Sequence, residues 1–178
     1  HPTNPDTVYA STPISVYRST NGGQNWSQVI DLSAYPTDTS RIELAVTLDN
    51  PDKLYAVLGD RDRFRGLFFS EDRGENWLVH TNNNPPNILG SDTAGFFNGT
   101  QAPYDLTIEI SPIDENEVIV GGINIWKSPN GGLSWERLTY WRQDFAAEEY
   151  VHADIHELIF DGTKLYAGTD GGICRSND

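Results

Sequence analysis

The sequence predicts an all-β chain, a partial β-propeller of four-stranded antiparallel blades. About four blades are expected, with the first and last incomplete. Three observations carry this expectation. A Ser-x-Asx-x-Gly-x-x-Trp segment recurs along the chain, and a second landmark recurs upstream of it in register. The runs between them are short, β-branched or aromatic, and bounded by Gly, Pro, Asn and Asp.

The first landmark occurs as Ser19-Thr-Asn21-Gly-Gly23-Gln-Asn-Trp26, Ser70-Glu-Asp72-Arg-Gly74-Glu-Asn-Trp77 and Ser128-Pro-Asn130-Gly-Gly132-Leu-Ser-Trp135, and begins a fourth time at Ser176-Asn-Asp178. The Ser-to-Ser intervals are 51, 58 and 48 residues. The second landmark is Val8-Tyr9-Ala10, Leu54-Tyr55-Ala56, Val118-Ile119-Val120 and Leu165-Tyr166-Ala167. Turn-forming clusters such as Asn4-Pro5-Asp6 and Asn50-Pro51-Asp52 precede it.

Taken in order, the blade units are 1–33, 41–80, 104–138 and 150–178. The first supplies three strands and lacks the innermost. The second reads as strands over 41–48, 53–58, 66–70 and 76–80, and the third as strands over 104–110, 117–120, 123–128 and 134–138. The fourth gives three strands and stops inside its landmark. Residues 81–103 form a long inter-blade loop, a binding-loop candidate whose plainer reading is a solvated connector. The one helical candidate, 144–149, reads better as loop. Open blade edges expose unpaired backbone groups, so the remaining strands are expected from flanking sequence, from another chain, or from pairing between the two ends. A parent ring of roughly six to eight blades is expected over a four-bladed closure.

The Trp-bearing segment has a local mechanical reading. A Ser or Asx side chain bonds nearby backbone groups in a tight turn, glycine supplies positive φ, and Trp enters the next strand to pack on the blade. These segments resemble the Asp-box, or BNR, repeat of sialidases, sortilin-type receptors and xyloglucanases. Asp72 matches its acidic position, with Asn21 and Asn130 as amide variants. The resemblance implies an outer-rim structural box away from any active site. Residues 104–176, with Gly-Gly-Ile-Asn-Ile-Trp-Lys-Ser, Val-His-Ala-Asp-Ile-His-Glu-Leu and Gly-Thr-Asp-Gly-Gly-Ile, are similar to propeller regions of large proteins exported by type IX secretion. An extracellular or cell-surface location follows from that resemblance.

Composition limits the function classes. Hydrophobic residues make up 37% and charged residues 21%, with 8 Tyr, 7 Phe and 5 Trp supplying bulk for a core. Twelve basic against 26 acidic residues give a net charge of −14, a field that repels phosphate backbones, so no nucleic-acid partner is expected. No apolar run is long enough for a membrane span. A single Cys, Cys174, forms no internal disulfide and is expected buried and inert. The chain has no Met and no leader, which reads as an internal piece of a longer polypeptide.

The densest polar cluster is His152-Ala-Asp154-Ile-His156. In a strand, His152, Asp154 and His156 share one face. Two imidazoles and a carboxylate could bind a ligand or transition metal. The alternation continues into Leu158 and Phe160, however, so the favoured reading is a hydrogen-bonded network between blades. Asp154, Asp105 and Glu43, with Glu109, are inner-strand acids that could pair for glycoside hydrolysis. The Arg41-Ile42-Glu43 segment lacks the proline of the sialidase arginine motif, so that role is not assigned to Arg41. Asp170-Gly171-Gly172 reads as a hairpin turn, Asp60–Arg65 as a solvated rim, and Asn25 and Asn98 as glycosylation sequons without further support. No cofactor is expected; Ca²⁺ or another metal stays open, with no EF-hand pattern present. The main functional reading is a non-catalytic extracellular module that scaffolds or binds a glycan or protein. The alternative is a sialidase- or xyloglucanase-like glycoside hydrolase with catalytic residues partly outside this segment.

Overall fold

The computed structural model describes residues 1–32, 41–80, 86–92, 94–143 and 149–176. Its strands form four separate antiparallel sheets in chain order. The first holds β1 (Val8–Thr12), β2 (Ser15–Ser19) and β3 (Ser27–Asp31). The second holds β4 (Arg41–Val46), β5 (Leu54–Gly59), β6 (Phe64–Ser70) and β7 (Leu78–His80). A helical turn, α1 (Ala102–Asp105), leads into the third sheet: β8 (Thr107–Ile110), β9 (Val118–Gly121), β10 (Ile125–Ser128) and β11 (Glu136–Arg137). The fourth holds β12 (Ile155–Asp161), β13 (Lys164–Thr169) and β14 (Gly172–Arg175). Each sheet is a meander of neighbouring strands, as in a propeller blade.

The alternation of each second strand explains how the blades stack. Tyr55 and Val57 of β5 join Ile108, Val118, Val120 and Trp126 in the core between the second and third blades. Their neighbours Ala56 and Leu58 point the other way, onto Val16, Ile30 and Leu32 of the first blade. In β9 the pattern repeats, with Ile119 facing Ile155, Leu158 and Ala167 of the fourth blade. A strand buried on both faces needs apolar residues at every position, which is how Leu54-Tyr-Ala-Val-Leu58 and Val118-Ile-Val120 read. Inner strands approach across the blade junctions, and a Cβ on Gly121 would lie 2.7 Å from Ile155 Cγ2 and 2.8 Å from Thr107 Cγ2.

The three described Trp-bearing turns share one hydrogen-bond pattern. Ser19, Ser70 and Ser128 each accept the amide four residues on, Gly23 at 2.9 Å, Gly74 at 2.8 Å and Gly132 at 2.7 Å. Each Ser hydroxyl donates to the Asx oxygen, which accepts the amide of Asn25, Asn76 or Ser134. The turn is also tied to the upstream cluster. Gly22 donates to the Asp6 carbonyl, Arg73 to Asp52 and Gly131 to Asn116, at 2.8–2.9 Å. The two sequence landmarks keep their register because they are bonded to each other. Trp77 and Trp135 pack onto the core shared with the preceding blade. Trp26 stays 41% exposed, with no preceding blade among the described residues.

Several expectations are corrected. The strand expected over 104–110 starts only at Thr107, because Pro103 lies in the first turn of α1 and Leu106 returns to extended backbone. Asp105 is therefore a helix-end residue and not an inner-strand acid. The strand expected over 134–138 shrinks to Glu136–Arg137. The loop after the second blade is no simple solvated connector: Ile88 and Leu89 are fully buried in the core. Cys174 is half-buried in β14, which pairs only with β13 among the described residues. Asp178 and residues 144–148 lie outside the described residues.

Candidate functional site

β12 does not begin where the sequence alternation places it. Asp154 takes a left-handed conformation, φ +66°, and the strand starts at Ile155. A bulge at His156 then shifts the pairing from Ile155–Thr169 to Glu157–Gly168. Ile155 and Leu158 become the buried pair, because a bulge inserts one residue and breaks strict alternation. His152, Asp154 and His156 therefore do not share one strand face, and the expected ligand triad is not formed. Among the described residues, no three His, Cys, Asp or Glu side chains converge as metal ligands.

A different cluster forms at this end of the inner strands. His156 Nε2 lies 2.7 Å from Asp170 Oδ1, an imidazole N–H donating to the carboxylate. The Tyr104 hydroxyl donates to the same group, 3.0 Å from Oδ2. The Tyr104 and His156 rings meet edge to face with centroids 4.8 Å apart. These hydrogen bonds, His156 first and then Tyr104, hold the Asp170 carboxyl below the usual carboxylate range. The Asp170 amide donates to the Asp154 carbonyl at 3.3 Å. His152 lies over the turn, where a Cβ on Gly171 would meet its Cγ at 2.5 Å.

Asp105 stands behind this cluster, 1% exposed, with neither carboxylate oxygen hydrogen-bonded. Burial, and next the charge of Asp154, push its carboxyl up to about 7. The other expected acids lie elsewhere. Glu43 accepts Arg41 Nε at 2.6 Å, while Arg41 Nη1 donates to the Tyr104 carbonyl at 2.9 Å. Glu109 is pushed up to about 7 by burial at the junction with the fourth blade, with Glu157 adding repulsion. The structure thus leaves Asp105 buried within the field of Asp154 and Glu43 in an ion pair.

Asp170 was the residue that sequence reasoning missed. Its signal is hairpin arithmetic: six residues outward from the Asp161–Lys164 pair brings 170 to the level of 155, and the bulge at His156 then makes Thr169 the partner of Ile155. Aromatic side chains surround the region. Tyr104 is 54% exposed, and an open cleft of about 700 Å³ is lined by Trp141, Arg142, Gln143, Tyr150, His152 and Ala153. Trp141 Nε1 donates to the Ser91 carbonyl, joining this cleft to the 86–100 loop. That loop presents Phe96 and Phe97, 72% and 67% exposed, with both amides bonded to Asp92. A second cleft, about 730 Å³, lies between the third and fourth blades, lined by aliphatic side chains such as Ile119, Ile125 and Leu165 and by charged ones such as Glu117, Lys127 and Arg175. It shares no residue with the acidic cluster.

No family model matches the chain. The chain is 36% identical over 101 residues to a xyloglucanase of Hypocrea jecorina (strain QM6a), a match covering 57% of this chain and 11% of that protein. It therefore spans about a tenth of that relative's length. Among solved structures it is similar to the GH74 xyloglucanase from Xanthomonas campestris, with a TM-score of 0.66 at 19% identity, covering 100% of this chain and 28% of that one. It is also similar to YCF48 from Cyanidioschyzon merolae, with a TM-score of 0.57 at 15% identity, covering 97% and 49% of the two chains. These likenesses, together with four successive meander sheets packed face to face, establish the chain as a run of β-propeller blades.

Proposed function

We propose that the chain is part of an extracellular glycoside hydrolase propeller, with Asp170 as its working carboxylate and further catalytic groups beyond residues 1–178. The observation that carries this reading is the solvent-facing Asp170, oriented by His156 and Tyr104, with His152 over the adjacent Gly171 lining an aromatic cleft. The likeness to a xyloglucanase supports the substrate class, a glucan-type polysaccharide. Glycoside hydrolysis needs one ionised carboxylate and one acid, held in contrasting environments. Asp170 is kept ionised by its two donors. Asp105, pushed up to about 7, keeps its proton on the acid side of neutrality but is buried, so it does not reach a substrate, and the acid that does is expected from outside this segment. We read the Trp-bearing turns as Asp-boxes, structural and remote from this cluster, and assign the open blade edges to strands from flanking sequence or another chain.

A second reading, a non-catalytic module that binds a glycan or protein, draws on Phe96 and Phe97, whose amides are bonded to Asp92 and whose side chains are left exposed. Large exposed apolar side chains on an ordered loop mark interaction sites. YCF48, similar in fold, has been solved bound to a D1 peptide.

The test is turnover of xyloglucan and other β-glucans by the intact protein. Asp170→Asn is expected to lower kcat by about 10²-fold or more with binding retained. Binding without hydrolysis by the unaltered protein would select the second reading. Neither binding nor hydrolysis across the panel would sink both.

A further inference from the structure

We propose that the cleft of about 730 Å³ between the third and fourth blades is the seat of a tryptophan, carried on an outer strand that adds to the open edge of β14. The occupant is polypeptide, the segment that completes the turn opening at Ser176. This goes beyond assigning the open edges to added strands, because it names the cleft that is filled and the side chain that fills it. It holds whether the protein hydrolyses a glycan or only binds one.

The two closed junctions share one pattern. Trp26, Trp77 and Trp135 each stand seven residues after the serine of their turn. Trp77 packs onto the core between the first and second blades, which includes Val16, Ala56 and Phe68. Trp135 packs onto the core between the second and third, which includes Leu67, Val120 and Trp126, and its ring meets Phe64 edge to face with centroids 6.2 Å apart. Val16 and Leu67 each stand three residues before the serine of the preceding blade. Ala56 and Val120 close the upstream landmark of the following blade, and Phe68 and Trp126 stand two residues before its serine.

At the third junction the same three positions are Ile125, Ala167 and Cys174, and all three line the cleft. Leu138 lines it as well, ten residues after Ser128; Val29, ten after Ser19, packs on the first junction's core. Cys174 stands where Phe68 and Trp126 supply rings, so its wall is the lower one. The fourth blade keeps the common register. The Ser176 amide donates to the Leu165 carbonyl at 2.8 Å, and the Ser176 hydroxyl accepts the Leu165 amide at 2.9 Å. Ser19, Ser70 and Ser128 oppose the matching landmark residues Val8, Leu54 and Val118.

Backbone and side chain are both provided for. The strands β2, β6 and β10 each carry an outer strand, whereas β14 pairs only with β13 among the described residues. An open edge beside an apolar trough takes an added strand, with main-chain bonds for affinity and a pocket for a chosen side chain. Glu117 and Lys127, on the cleft wall, are bound to each other at 2.7 Å. An indole needs a partner for its N–H when buried, and Trp77 Nε1 finds it in the Gly74 carbonyl of its own turn. The segment thus brings that acceptor with it, and the cleft supplies the apolar wall.

The experiment extends the full chain beyond Asp178 with Gly-Gly-Leu-Ser-Trp-Glu-Arg-Leu, the order of residues 131–138, which completes the fourth turn. A matched extension carries alanine in place of its tryptophan. Cys174, the single thiol, should be alkylated about tenfold more slowly with the tryptophan extension than without it, and the β14 amides should gain about tenfold in protection. The alanine extension should stay within about twofold of the unextended chain in both. If Cys174 reacts too slowly to follow, β14 exchange decides. Unchanged alkylation and exchange with the tryptophan extension overturn the proposal. Equal protection by the two extensions also overturns it, because the strand would then add without seating an indole. Neither readout depends on glycan turnover, so failure here is distinct from failure of the hydrolase reading.

Discussion

Asp72 accepts the Asn76 amide at 2.8 Å and the Asn76 side-chain amide at 2.6 Å. These bonds, the backbone one first, hold its carboxyl down at about 2. A carboxyl depressed in the fold adds stability that is present above its unfolded value near 4 and lost as pH falls through about 2. Asp72→Asn should keep the turn, because Asn21 and Asn130 already make it. Its stability relative to the parent should be level above pH 4 and rise as pH drops from 4 to 2, followed by acid unfolding at fixed temperature. Equal acid curves for the two proteins would remove Asp72 from the account. This residue was legible in the sequence because all its partners lie within four positions. Asp170 was not, although its hairpin turn was, because its partners His156 and Tyr104 lie 14 and 66 residues away. Asp154 was read as an ordinary strand residue, and only its bond with the Asp170 amide and the adjoining Ile155–Gly122 bond reveal the left-handed backbone.

The turn as an element rests on its serine. Ser128 is fully buried and accepts two amides, Asn130 at 3.4 Å and Gly132 at 2.7 Å, while donating to Asn130 Oδ1. Ser128→Ala leaves those amides without their acceptor and should cost about 1–3 kcal/mol in denaturant unfolding. An effect within 0.5 kcal/mol of zero would mean that water replaces the hydroxyl. Gly132 in the same turn has φ +98°, and a Cβ there would lie 2.5 Å from Leu67 Cδ2 of the neighbouring blade. Gly132→Ala should therefore destabilise through backbone strain and a clash together, by about 2–4 kcal/mol. Hairpins of this kind were readable because turn chemistry is written in adjacent residues. The α1 turn was missed for the opposite reason: Ala102-Pro-Tyr-Asp105 has no helical period, and what fixes it is Ala102 packed in the core with Leu89. A Cβ on Gly59 would strike both of them, at 2.7 and 2.5 Å.

At the scale of the whole molecule, the blades are held by apolar contact across their faces and by close approach of their inner strands. Gly121 stands where β9 meets β12, and a Cβ has no room between Thr107 and Ile155. Gly121→Ala should force the third and fourth blades apart and cost about 1–3 kcal/mol. Exchange of amides in β12 should rise while β5 and β6 keep their protection. Uniform loss across all four sheets would show the blades to be one cooperative unit. The number and order of blades was legible from the repeat, whereas the meeting of Asp170 with His156 and Tyr104 was not, because it arises where two blades meet.

Gly22 to Asp6, Arg73 to Asp52 and Gly131 to Asn116 are bonds that close within a single unit. The intervals between successive turns vary, 51, 58 and 48 residues, while these bonds keep their places. A gene encoding such units can duplicate or delete one without rewiring its neighbours' outer halves. New chemistry is then free to accumulate in the segments outside these bonds, while the bonded turns keep copying themselves.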